Sequence, residues 1–180
     1  MMQFSPEITC TFVTVHVGYA EVPGLLTTAR ILEVIELTAD AMQNLHGRPP
    51  KLVVCGLNPH AGEAGHIGRE ELDVINPAMA ALRAEGWDVW DARSADALFH
   101  ETARASYDAV IALYHDQGLI PIKTLHFWDA VNLTLGLPII RTSPDHGTGF
   151  DIAGEGKARP GSFRAALAMA WSMAEQRARS

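Results

Sequence analysis

Asp108-Ala109-Val110-Ile111-Ala112-Leu113-Tyr114-His115-Asp116-Gln117-Gly118-Leu119-Ile120-Pro121-Ile122-Lys123 is the stretch that decides the fold. Ala109 to Tyr114 is a continuous apolar run of the length and β-branched content expected of a buried strand in a parallel sheet. At its carboxyl end the character changes at once to His115, Asp116, Gln117 and Gly118. Ligands of open α/β sheets bind just beyond the carboxyl ends of strands, so a His-Asp pair there reads as site chemistry. A loop histidine beside a capping aspartate is the other reading, and this stretch does not separate the two.

The same pattern recurs upstream. Thr9 to Val15 is a β-branched run that ends at His16, and Lys51 to Gly56 is a short apolar strand followed by a glycine-rich loop, Leu57 to Gly68, that carries His60. Between them, Leu25, Ala29, Leu32, Ile35, Ala39 and Met42 recur at three and four, which predicts an amphipathic helix over Leu25–Leu45 closed by Gly47-Arg48-Pro49-Pro50. Arg69 to Gly86 also has helical spacing, but Pro77 inside one helix would cost about 3 kcal/mol. Two helices are expected there, the second capped by Asn76 with Pro77 in its first turn. Trp87 to Trp90 reads as a further strand and Ser94 to Ala105 as a short helical piece.

Downstream of Lys123, Ala130–Leu135 alternates like a half-exposed strand, and Pro138–Ser143 is an apolar pair running into Arg141. Asp145 to Gly156 is a second glycine-rich loop, and Ser162–Gln176 is an Ala-rich closing helix with Phe163, Leu167 and Trp171 in register. Strand and helix alternate, so the expected fold is α/β, a mainly parallel sheet with flanking helices.

A chain of 180 residues with 48% hydrophobic and 19% charged residues can bury a sizeable core. Its net charge of −7 offers no basic face, which argues against a nucleic-acid partner. Cys10 and Cys55 fall inside apolar strands without metal-ligand spacing, as buried free thiols of a reducing compartment do. No apolar run approaches the roughly 20 residues that span a bilayer, and no signal peptide precedes the first strand. No membrane partner and a cytoplasmic location are therefore expected.

His16, His60 and His115 all stand at strand ends, yet their separations form no local motif, because three-histidine metal sites are assembled by folding. One shared site and three unrelated loop histidines are both open. His46, His66, His100 and His126 have helix-end or loop settings, where solvated surface is the default. Lys51, Lys123 and Lys157 are the only lysines, and Lys123 follows the apolar Leu119-Ile120-Pro121-Ile122. With Asn132 inside a strand and Arg141 at a strand end, it makes either a cationic pocket for phosphate or carboxylate, or a set of side chains carrying charge out to water. The Asp145-His146-Gly147-Thr148 loop with Asp151 has no dinucleotide fingerprint. Its backbone amides suit an adenosine, and an aspartate suits a ribose hydroxyl.

Four longer stretches carry a resemblance: Gly56-Leu57-Asn58-Pro59-His60-Ala61-Gly62-Glu63, Tyr114-His115-Asp116-Gln117-Gly118, Val131-Asn132-Leu133-Thr134-Leu135-Gly136-Leu137-Pro138, and Arg141-Thr142-Ser143-Pro144-Asp145-His146-Gly147-Thr148. In this order they resemble the 4-hydroxythreonine-4-phosphate dehydrogenase family of pyridoxal phosphate biosynthesis. The resemblance implies a fold similar to the isocitrate and isopropylmalate dehydrogenases, a homodimer, NAD, and a divalent metal (Zn, Mg or Co). It makes His16, His60 and His115 the metal ligands, shared between subunits. Lys123, Asn132 and Arg141 fall on the family's substrate-binding positions, and Lys123, Asp116 and Asp96 on catalytic positions, the two aspartates orienting histidines from behind. His146, Gly147, Thr148 and Asp151 resemble the adenosine-binding loop of the related dehydrogenases.

The implied reaction is NAD-dependent and metal-dependent oxidation and decarboxylation of 4-phosphooxy-L-threonine to 3-amino-2-oxopropyl phosphate, in pyridoxine 5'-phosphate biosynthesis. A divalent ion lowers the pKa of the substrate hydroxyl and stabilises the enolate left by carbon dioxide. Alternatives are a dehydrogenase of a phosphorylated threonate or erythronate, and a truncated metal-binding dimer without turnover. The family's long N-terminal segment has no counterpart here, so residues 1–135 would be the dimerisation and metal/substrate domain and 136–180 the C-terminal part of the nucleotide-binding domain. The chain also departs from the family in having Val17 and Gly18 after His16, and in the segment Ala92-Arg93-Ser94-Ala95-Asp96-Ala97, which lacks the usual proline and threonine.

Overall fold

The computed structural model describes residues 1–179. Six strands, β1 (Met2–Phe4), β2 (Thr9–Phe12), β3 (Leu52–Val54), β4 (Ala109–Ala112), β5 (Val131–Leu133) and β6 (Thr142–Pro144), form one sheet in the order β3-β4-β2-β1-β5-β6. Helices α1 (Val22–Leu25), α2 (Thr28–His46), α3 (Asn76–Ala84), α4 (Glu101–Arg104), α5 (His115–His126) and α6 (Gly161–Arg179) flank it. As expected, β4 is fully buried and internal, pairing in parallel with β3 and β2. The other three pairings, β1 with β2, β1 with β5 and β5 with β6, are antiparallel. The sheet is thus mixed, which corrects the mainly parallel expectation. The cause is β1, three residues too short to announce themselves by alternation, which turn back through Ser5 to Ile8 directly into β2. So short a link can only join antiparallel strands. Ser5 closes that turn, its N–H donating to Ile8 O at 3.0 Å and its Oγ at 2.8 Å.

The pleat sorts the side chains into two cores. Met2, Val13, Leu52, Val54, Ile111, Leu113, Val131 and Leu133 face α2, α3 and α6, while Cys10, Phe12, Val53, Cys55, Val110 and Ala112 face α5 and Leu98. Helix α2 begins at Thr28, later than expected, because Thr27 Oγ1 accepts the Arg30 N–H at 3.1 Å. It ends where Gly47 takes φ 70°, a left-handed cap whose N–H donates to Gln43 O at 2.8 Å. Its buried stripe is Ile31, Val34, Ile35, Thr38, Ala39 and Met42, while Leu25 and Ala29 of the expected face stay exposed.

Pro77 is accommodated without a break. A π-turn over Glu71–Ile75 runs straight into α3, placing Pro77 in the first α-turn, where no helical N–H is required. Asn76 does not cap the helix as expected, because its Oδ1 accepts the Ala92 N–H at 2.9 Å instead. Trp87–Trp90 forms no ladder, only a single bridge from Val89 to Leu52, and a second isolated bridge follows from Arg93 to Cys55. Among the described residues no helix is long and apolar enough to cross a membrane.

Candidate functional site

The carboxyl ends of the three parallel strands lie side by side, and each leads into one of the singled-out histidines. After β4 the chain enters α5 at His115 without a loop. Gln117 makes this junction rigid: its Oε1 accepts the Leu113 N–H at 2.7 Å and its Nε2 donates to Gly56 O at 2.7 Å, tying the ends of β4 and β3 together. Gly118 lets α5 settle onto β2, since a Cβ there would strike Cys10 Sγ and stand 2.7 Å from the Phe12 ring. Leu119 and Ile122 then enter the core and Ile120 points outward, so the apolar run before Lys123 is a helix with one buried face.

His16 and His115 come together, their ring centroids 5.3 Å apart. His115 Nδ1 lies 2.7 Å from Asp116 Oδ1, and Tyr19 donates its hydroxyl to Asp116 Oδ2 at 2.5 Å. The Tyr19 hydroxyl and then His115 hold the Asp116 carboxyl below the usual aspartate range. A carboxylate accepting from Nδ1 fixes the tautomer that leaves the His115 Nε2 lone pair free, which is the arrangement of a metal-ligating histidine. The donor chemistry therefore suits a divalent cation. The donor number within one chain does not: among the described residues no three His, Cys, Asp or Glu side chains gather closely enough to hold a metal.

His60 is the one that stands apart. It sits on an exposed loop, 4.0 Å from Glu63 Oε1. Asp96 accepts from Ser94 Oγ at 2.5 Å, and that hydrogen bond, with His60 as a smaller influence, holds its carboxyl below the usual range. The backbone from His60 to Ala64 is left-handed throughout, with φ values of 55°, 52°, 78°, 43° and 54°. Four of the five are not glycine, at a cost of about 1–2 kcal/mol each. Strain of this kind persists only where its surroundings enforce it.

A second polar group lies beside the His16–His115 pair. In the register of the sheet, Gln3 is opposite Asn132 and Asn132 opposite Ser143, on the face that α5 covers. Asp145, two residues beyond Ser143, accepts from Gln3 Nε2 at 2.9 Å through Oδ1. Its Oδ2 is buried without a hydrogen-bond partner, 3.7 Å from Lys123 Nζ. Burial raises the Asp145 carboxyl above the usual range, while Lys123, Gln3 and the nearby His115 pull it down. The sequence reading placed Asp145 only in the adenosine loop. Its spacing of two from Ser143, and of four from Arg141, was the signal that it shares their face.

Arg141 is exposed, and its Nη1 donates to Thr134 Oγ1 at 2.6 Å. His146, Gly147, Thr148 and Asp151 lie on an exposed loop that begins directly after Asp145. His146 Nδ1 contacts Gly147 O at 2.8 Å, and a Cβ on Gly147 would meet nothing within 4 Å.

Imidazoles, carboxylates and a lysine gathered beyond the carboxyl ends of parallel strands, in a mixed-sheet α/β domain, define a ligand-binding domain of enzyme type. The family described as Pyridoxal phosphate biosynthetic protein PdxA matches residues 1–170, and the chain belongs to this family. A 4-hydroxythreonine-4-phosphate dehydrogenase of Caulobacter vibrioides is 53% identical over 178 residues, covering 98% of this chain and 54% of that protein. The crystal structure of the Klebsiella pneumoniae 4-hydroxythreonine-4-phosphate dehydrogenase superposes with a TM-score of 0.85 at 38% identity, covering 96% of this chain and 53% of that one. A terephthalate 1,2-cis-dihydrodioldehydrogenase from Burkholderia xenovorans is more distant, with a TM-score of 0.77 at 29% identity. The chain spans about half the length of the curated relatives it matches.

Proposed function

We propose that this chain is the metal- and substrate-bearing portion of a cytoplasmic, NAD-dependent and divalent-metal-dependent dehydrogenase. The reaction is oxidation and decarboxylation of 4-phosphooxy-L-threonine to 3-amino-2-oxopropyl phosphate, on the route to pyridoxine 5'-phosphate. The observation that carries this reading is the His16–His115 pair backed by Asp116, next to Lys123 and an Asp145 oxygen that has Lys123 at 3.7 Å but no hydrogen bond.

In this reading the fold is that of the isocitrate and isopropylmalate dehydrogenases. Residues 1–135 dimerise and bind metal and substrate, and 136–180 supply part of the nucleotide-binding domain. His16, His60 and His115 ligate zinc, magnesium or cobalt in a homodimer, with His60 reaching the pair of the other subunit, since within one chain it stands apart. A divalent ion supplies Lewis acidity toward the substrate hydroxyl, and NAD accepts the hydride.

The chain's own residues bind and orient. The planar guanidinium of Arg141 suits the phosphate, and Lys123 and Asn132 take the remaining charged and polar groups. Asp145 Oδ2 lacks a donor, and the substrate ammonium provides one. The charge of the carboxylate favours the ammonium of the amino acid over the neutral hydroxyl that a phosphorylated threonate or erythronate carries in its place. Asp116 keeps the His115 proton on Nδ1, and Asp96, held by Ser94, stands within electrostatic reach of His60. The open amides of the His146-Gly147-Thr148 loop, with Asp151, receive the adenosine.

A second reading, a metal-binding dimer without turnover, is favoured by the chain's spanning only about half the length of its curated relatives. Metal analysis and NADH formation on the purified chain separate the two: stoichiometric zinc without NADH selects the second. Under either reading His60→Ala and His115→Ala lose bound zinc, and full retention in both would refute the ligand assignment.

A further inference from the structure

The costly left-handed turn at His60–Ala64 needs something to enforce it, and the structure shows what does. Glu71, in the π-turn before α3, is 2% exposed although it is acidic. Its Oε1 accepts the Asn58 backbone N–H at 2.8 Å and its Oε2 accepts Asn58 Nδ2 at 2.9 Å, while Glu70 Oε2 takes the same amide at 2.6 Å. Asn58 stands two residues before His60.

The loop closes around this carboxylate. A Cβ on Gly62 would lie 2.7 Å from Glu71 Oε2, and a Cβ on Gly56 would lie 2.9 Å from Ala61 Cα and 3.2 Å from Glu71 Oε1. One on Gly68 would run into the Asn58 amide. Three glycines thus give up their side-chain space so that one buried carboxylate can grip the loop from inside. Ala61 N–H donating to Asn58 O at 3.1 Å and Ile67 N–H donating to Gly62 O at 3.1 Å complete the wrap.

We propose that Glu71 is a positioning residue: its buried carboxylate locks Asn58, and through it the left-handed turn, so that the His60 imidazole is presented in one fixed direction. The inference deepens the metal-site reading and rests on it for the role of His60. A buried acidic group satisfied by neutral amide donors needs both of them, because a lost partner leaves charge unpaired in a poorly solvated place. Gln at this position keeps the shape but turns one acceptor into a donor that faces Asn58 Nδ2.

The test uses the full chain with zinc as probe. Zinc affinity is measured by chelator competition well below the unfolding temperature, and amide hydrogen exchange is read across residues 56–68. Glu71→Gln is expected to weaken zinc binding at least tenfold and to speed exchange in that loop, with β4 protection unchanged. A purely structural role would lower the unfolding temperature and leave the zinc affinity of the folded chain at its parental value. If His60→Ala loses zinc while Glu71→Gln alters neither zinc affinity nor loop exchange, the proposal is overturned. If His60→Ala keeps zinc, the ligand reading of His60 fails, and loop exchange alone decides: parental protection in Glu71→Gln overturns the clamp, and lost protection upholds it.

Discussion

At the scale of single residues, Asp145 has the clearest pH signature. Burial raises its carboxyl in the folded state, so the native chain holds this proton more tightly than the unfolded chain does. Its contribution to stability is complete below the unfolded value, about 3.9, and is lost as pH rises through the higher folded one. Above that window the ionised group is a burden that Lys123, at 3.7 Å, only partly offsets. Asp145→Asn is therefore expected to be more stable than the parent near neutral pH, with the difference closing as the pH is brought below about 4. Urea unfolding at two pH values measures this, and a variant less stable than the parent at neutral pH would count against it. Asp145 was also the residue that motif reading misplaced. Lys123, Asn132 and Arg141 were visible as charged or amide groups in apolar company, but the burial of an aspartate oxygen between β1, β6 and α5 comes from neighbours distant in sequence.

At the scale of elements, α5 is the part whose placement matters most, for it carries both His115 and Lys123. The apolar run and the His-Asp switch located the end of β4, but nothing local showed that a helix starts at His115 and continues through Pro121. Gly118 sets how closely that helix lies on β2. Gly118→Ala puts a methyl group against Cys10 and Phe12, and overpacking of this kind costs about 1–3 kcal/mol. The expected result is a melting temperature several degrees lower and weaker metal binding, because the His115 ring shifts away from His16. Gly147→Ala, with open space around it, is the control and should melt like the parent. Equal melting temperatures for the two variants would show that α5 has slack.

At the scale of the whole molecule, β1 holds the sheet together. It lies between β2 and β5, so in the strand order the parallel strands that carry the histidines are hydrogen-bonded to the β5–β6 hairpin that carries Asn132 and Arg141 through Met2–Phe4. Gln3, at its centre, also donates to Asp145. Deleting residues 1–5 is expected to abolish cooperative unfolding and near-ultraviolet circular dichroism, though it removes no proposed metal ligand. A deletion variant that still melts in one sharp transition would show that the two halves of the sheet stand independently.

The amino-acid sequence by itself determined the elements with strong local signals. The buried run of β4, the amphipathic α2 with its Gly47 stop, and the histidines after three strands all follow from periodicity and from abrupt changes of polarity over a few residues. Only the tertiary structure decided that the sheet is mixed, that His16 and His115 meet while His60 stands off on a left-handed turn, that Glu71 is a buried acid and that Asp145 is a half-buried one. Strand order, ring spacing and burial depend on contacts between residues far apart along the chain. A local window carries no information about them, because their free energy appears only when those partners are brought together.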